Sequence, residues 1–221
     1  MTALLRRAGL LASLLLLGAC ATGASRPITA APAPVASLVE EPPLRWKEIA
    51  TAPDVDRLSR LGEAWAAALS DVRRSRSGSA FRVEGELLDA NAALPRPAPP
   101  PGPYRCRVVK LGREARGPAI AAFPPFFCYV EAEDDILTIV KQTGTQRPAG
   151  RIYPDAEPTR LVFLGTLALG SEEEPLPYGE RPDRDMAGVV ERVAPFRWRL
   201  VLPWPQSGGK LQVIELVPAT G

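Results

Sequence analysis

Two short polar runs carry the residue types from which a binding site could be built. In Thr143-Gly144-Thr145-Gln146-Arg147, the glycine allows a ligand to approach the backbone. Arg147 adds a planar guanidinium that can grip a carboxylate or phosphate through two hydrogen bonds. Asp183-Arg184-Asp185 sets two carboxylates around an arginine, a pattern suited to calcium ligation or to pairing with Arg151 or Arg192. Turn chemistry and structural ion pairing are the ordinary use of both runs. Each precedes a segment that reads as a strand, so one barrel mouth would bring them together, and barrel mouths commonly hold ligands. Trp204 stands between Pro203 and Pro205, where an exposed indole could meet a partner or a membrane interface. The candidate contacts are therefore Gln146, Arg147, Arg151, Asp183, Arg184, Asp185 and Trp204.

The chain contains no histidine. That removes the imidazole general base of Ser-His-Asp and Cys-His catalysis and the usual ligand of catalytic zinc. Carboxylates such as Asp183, Asp185 or Glu191 remain as a route to hydrolysis. No catalytic residue, metal site or cofactor is assigned from the sequence. Basic and acidic residues number 27 and 25, and no strongly basic face points to nucleic acid.

Three cysteines are present. Arg6 and Arg7 followed by the apolar run from Leu10 to Leu17 have the plan of a secretory signal. The run is too short for a membrane-spanning helix, which needs about 20 apolar residues. The next residues, Leu17-Gly18-Ala19-Cys20, resemble the lipobox of bacterial lipoproteins. That resemblance implies cleavage before Cys20 and acylation of its thiol; the alternative is an ordinary secretory signal with a chance cysteine. Several acyl chains would give a stable anchor. Ala21, where an inner-membrane retention signal has Asp, points to the periplasmic face of the outer membrane. Loss of Arg6 and Arg7 with the signal brings basic and acidic residues level. With Cys20 acylated, Cys106 and Cys128 form an even pair in an oxidising compartment, which suggests a disulfide; the alternative is two separately buried thiols.

The elements that would position these residues follow from texture. Residues 1–19 are the expected signal and 20–44 an Ala/Pro-rich tether too poor in apolar residues to fold. Residues 45–103 form a helical part ending in a proline-rich connector. Within them Val55, Leu58, Leu61, Trp65, Leu69 and Val72 recur at steps of three and four, predicting one amphipathic helix over 53–73. The stretch 81–88 fits helix or strand. From 104 to 218, short β-rich runs alternate with Gly, Pro and Asp. Eight strands are expected, at 104–111, 126–132, 136–142, 150–153, 161–169, 187–193, 196–202 and 211–217. Connections too short for helical crossovers make the pairing antiparallel. Leu161-Val162-Phe163-Leu164 is apolar on both faces and asks for a cover, which the helix can supply. The expected fold is α+β, mainly β: an N-terminal amphipathic helix packed on a small antiparallel barrel or strongly curved sheet. A membrane-spanning barrel would need longer strands with a consistent lipid-facing set.

Five blocks, at 103–112, 146–154, 163–167, 184–192 and 197–203 (the last reading Arg197-Trp198-Arg199-Leu200-Val201-Leu202-Pro203), resemble DUF4893, a domain of unknown function found in exported alphaproteobacterial proteins. The resemblance spans roughly 45–218 and implies no activity, substrate or catalytic residue. The architecture is also analogous to lipocalin-like periplasmic barrels, without any motif in common. The expected role is a non-catalytic periplasmic binding or interaction module, membrane-held through its lipid, with an unknown protein or small-molecule partner. The alternatives are a structural envelope lipoprotein without ligand and a histidine-independent carboxylate hydrolase.

Overall fold

The structure is a computed structural model that describes residues 45–113, 117–170 and 172–219. The expected signal, Cys20 and the tether lie outside the described residues.

Among the described residues four short helices come first: α1 (Arg45–Ile49), α2 (Ala52–Ser59), α3 (Leu61–Arg73) and α4 (Gly78–Val83), then a 3-10 turn at Gly85–Leu88. Nine strands follow: β1 (Gly102–Leu111), β2 (Ile120–Ala122), β3 (Phe126–Glu133), β4 (Ile136–Lys141), β5 (Gln146–Pro154), β6 (Arg160–Leu169), β7 (Asp185–Ala194), β8 (Arg197–Pro203) and β9 (Leu211–Pro218). The strands from β3 to β9 pair antiparallel in chain order, and β1 pairs with both β3 and β9. Eight strands thus close into a barrel, and the short β2 is an extra strand. The first half of β1 takes β3 as its neighbour and the end of β1 takes β2 on the same edge. Closure leaves no long edge open to another chain.

All eight expected strands are present, with β5 extended to Gln146 at its start. β2, only three residues long, carried no detectable period. The single expected helix is two helices, broken at Arg60 (φ −96, ψ 19) just before Gly62. The break lets α2 lie on β7 while α3 lies on β1, β8 and β9, so the pair follows the curvature of the wall. Val55, expected on the buried face, is 37 % exposed, and Ala64 and Ala68 take up the close contact. The ambiguous stretch 81–88 is helical, divided by Gly85 at φ +54.

Strand alternation produces two cores. Inside the barrel lie Tyr104, Cys106, Cys128, Val130, Phe163 and Leu216 with their neighbours. Outside it, Leu58, Leu61, Trp65, Val72, Leu87 and Leu88 press on Val109, Val162, Val189, Val201 and Val213. β6 is accordingly apolar on both faces. Most of the interior is apolar, and the outer wall is covered by helices or carries charges such as Arg105, Glu131 and Arg151, the reverse of a membrane-spanning barrel. Gly150 and Gly165 face each other across β5 and β6, where there is no room for a side chain. A Cβ on Gly165 would lie 2.3 Å from the Ala149 carbonyl and 2.6 Å from the Phe163 ring.

On the outer face, cross-strand register sets Arg107, Glu215, Arg199, Glu191 and Arg160 side by side on β1, β9, β8, β7 and β6. The signs alternate along this belt. Arg199, fully buried, donates to Glu191 Oε2 at 2.7 Å and to the carbonyls of Glu86, Leu87 and Asp89. Its guanidinium lies 5.0 Å from the Trp65 ring centroid. Arg107 holds Glu84 with two bonds and Glu215 with a third. The belt fastens the helical part onto the barrel.

Candidate functional site

The two ends of the barrel differ. At one end Tyr104 and Trp198 meet edge to face, with centroids 6.1 Å apart. The Tyr104 hydroxyl donates to the Pro100 carbonyl at 2.6 Å, and burial pushes its pKa up to about 12. The proline-rich stretch is fastened to this rim at its start, where Leu94 bridges to Arg192 and Arg192 donates to the Pro95 carbonyl. Its end is held by Tyr104, and Pro99 between them is buried. The stretch expected as a connector thus also closes the barrel. The disulfide joins Cys106 and Cys128 inside the wall, linking β1 to β3.

The other end opens into a cavity of about 220 Å³. Every barrel strand sends at least one inward residue to it. β1 supplies Val108 and Lys110, β3 Phe126, β4 Lys141, and β5 Gln146 and Pro148. The ring is completed by Leu167 from β6, Met186 from β7, Leu202 from β8 and Gln212 from β9. The floor is apolar and the polar groups stand near the rim. Phe123, Arg57, Asp183, Arg184, Gln206 and Ser207 extend the lip.

Lys141 places its ammonium 4.2 Å from the centroid of the Phe126 ring. Burial holds its pKa below the ordinary lysine value, and neighbouring Arg147 pushes the same way. Lys110 donates to the Ser207 carbonyl at 2.8 Å, and Ser207 in turn donates to Gln212 at 3.0 Å.

Of the sequence-based candidates, Gln146, Asp183, Arg184 and Asp185 come to this mouth. Arg147 faces outward and ties loops together through the carbonyls of Gly144, Gly170 and Glu172. Arg151 makes an exposed pair with Glu133 at 3.4 Å. Trp204, at φ 47, packs partly buried against the outer core with Arg60 and Lys210 on its ring. The acidic run pairs with neither Arg151 nor Arg192. Asp183 is bound by Arg181 at 3.0 Å, which holds its carboxyl below the usual range. Arg184 is bound to Glu172 at 2.5 Å.

Asp185 lies on the outer side of the lip, 3 % exposed, and accepts from the Gly179 N–H at 3.0 Å. Burial raises its pKa, partly offset by that bond. Beside it, buried Asp54 pairs with Arg57 at 3.1 Å and accepts from the Tyr178 hydroxyl at 2.5 Å. Burial, then that bond, pushes Tyr178 up to about 12. These contacts latch the segment carrying Tyr178 to α2.

Sequence reasoning missed Lys110, Lys141, Phe126, Leu167, Met186, Leu202 and Gln212. Parity offered one signal: Lys110 shares the face of Tyr104, Cys106 and Val108. No group of three or more His, Cys, Asp or Glu side chains among the described residues is arranged to hold a metal ion. No described helix is long and apolar enough to cross a membrane.

No curated protein and no solved structure matches the chain. Residues 46–216 match the family DUF4893, a domain of unknown function, as the sequence blocks implied, and the chain belongs to that family.

Proposed function

We propose that this protein is a non-catalytic binding module whose ligand site is the open end of the barrel. The observation that carries this reading is the cavity of about 220 Å³ ringed by side chains from all eight barrel strands. A structural barrel gains nothing from leaving one end unfilled, because unfilled space forfeits packing. Of the carboxylates that the sequence offered for hydrolysis, Glu191 is bound by Arg199 and Asp183 by Arg181, while Asp185 is buried on the outer side of the lip and accepts the Gly179 N–H. The cavity is smaller than the 300 Å³ or so at which drug-sized sites begin, so the ligand is small.

The test is a titration of the chain from Ala21 onward, which retains the barrel and the four described helices, with 1-hexanol. Amide and methyl NMR shifts would be followed. Shifts at Val108, Leu167 and Leu202 that saturate support the reading. Shifts scattered over the outer surface, or none at the mouth, reject it.

The same reading places the module outside the cytoplasm, acylated at Cys20 and facing the periplasm from the outer membrane. Its support is the signal plan and lipobox of residues 1–20. Cys20→Ala is expected to move the protein out of the membrane fraction; unchanged fractionation would remove the anchor.

A further inference from the structure

We infer that the mouth takes an amphipathic anion: a small acid whose short apolar tail enters the floor and whose charged head meets Lys141 and Lys110. The inference rests on the reading of the mouth as a ligand site and adds the class of ligand.

The charge pattern carries it. Lys141 and Lys110 are inward-facing cations of the wall, on β4 and β1. Among the described residues, neither has a carboxylate within ion-pair distance: each of the other ion pairs uses an arginine. Most of the charges at the lip are paired with one another; Asp185, on the lip's outer side, has no cationic partner and accepts only the Gly179 N–H. Asp183 is held by Arg181, Arg184 by Glu172 and Arg57 by Asp54. Lys110 spends one of its three protons on Ser207 and keeps two.

Lys141 is the more telling. A partly desolvated cation without a counter-ion is a cost to the fold. The Phe126 ring at 4.2 Å compensates in part, since an aromatic face attracts a cation. Burial nonetheless depresses the ammonium. A methionine at this place would pack as well on Phe126 and cost less. A charge kept at a stability cost in a cleft is a mark of a functional group. Below it, Val108, Leu167, Met186 and Leu202 offer nothing to a polar tail. An anion therefore fits the rim and a hydrocarbon fits the floor.

The experiment compares hexanoate, 1-hexanol and acetate on the chain from Ala21 onward, by NMR titration, with Lys141→Met and Lys110→Met as variants. Hexanoate is expected to bind at the mouth about tenfold more tightly than hexanol, the worth of one charge-assisted hydrogen bond. Acetate, which has no tail to bury, is expected to bind at least about tenfold more weakly than hexanoate. Lys141→Met is expected to raise the melting temperature while lowering hexanoate affinity about tenfold. Lys110→Met is expected to lower affinity too, without the gain in stability.

Equal binding of hexanol and hexanoate overturns the anion and leaves the cavity reading standing. Equal binding of acetate and hexanoate overturns the tail. Unchanged hexanoate affinity in both variants overturns the lysines' role. Absence of any shift at the mouth with any of the three overturns the inference together with the reading beneath it.

Discussion

The closed and open ends of the barrel are made by the same eight strands, yet they hold opposite kinds of residue. At the closed end the inward positions are large and apolar, Tyr104, Trp198, Ile152 and Leu216, and a proline-rich stretch is fastened to the rim. At the open end the same alternation delivers Lys110, Lys141, Gln146 and Gln212 above an apolar floor. The backbone differs as well: β1 takes β3 as its neighbour toward the closed end and the short β2 toward the open one. One end is built to be filled by the protein and the other to be filled by something else. The closed end should therefore be sensitive to truncation and the open end tolerant.

The largest expected effect tests what anchors the closed half. Arg199→Met leaves Glu191 without its partner and takes a donor from three carbonyls, of which Glu86 and Asp89 keep a backbone N–H and Leu87 does not, and is expected to cost about 3–5 kcal/mol by urea unfolding. A loss under about 1 kcal/mol would mean that water replaces the guanidinium and that the belt is not an anchor. Trp198→Ala at the closed end should cost about 3–5 kcal/mol, whereas Met186→Ala at the mouth should cost well under half of that. Equal losses would erase the distinction between the two ends. Reduction of Cys106–Cys128, which are 22 residues apart, is expected to lower stability by about 3 kcal/mol through the freed loop. Tyr104→Phe should cost about 1 kcal/mol, because the Pro100 carbonyl loses its donor.

The smallest effect has the opposite sign. The Lys141 pKa is depressed in the native state, so the unfolded chain holds that proton more tightly. Stability should be lowest where both states are protonated and rise as pH climbs through the depressed value toward the ordinary lysine value. Lys141→Met should abolish that increment. A chemical-denaturation series over alkaline pH, run on both proteins, reads it directly; parallel curves would show an ammonium that is fully solvated.

Much of the wall was legible because strand alternation and turn residues are local. Arg197, Trp198, Arg199 and Leu200 already announce two faces. The break at Arg60 was not legible, because it answers to the curvature of a wall whose strands lie roughly 40 to 150 residues further along the chain. The site was half legible. Asp183, Arg184, Asp185 and Gln146 stood out as polar runs, and closure brings them to one mouth. Lys141 did not, because Ile136 to Val140 is apolar throughout apart from Thr138 and gives no parity. Trp204 drew notice through its prolines, but its positive φ turns the ring onto the outer core. The pairing of Asp183 with Arg181 in place of Arg151 is a matter of short range beating long range.

The seam between β1 and β9 has a consequence for how the molecule forms. Each hairpin from β3 to β9 joins neighbours in the chain, but the seam joins residues such as Arg107 and Glu215, 108 positions apart. Closing so long a loop is entropically slow. The seam is therefore expected to zip last, with β1 and β9 offering open edges until it does. Pulse-labelled hydrogen exchange should find the amides of β9 protected after those of β5 and β6; simultaneous protection would mean that the ring forms in a single step.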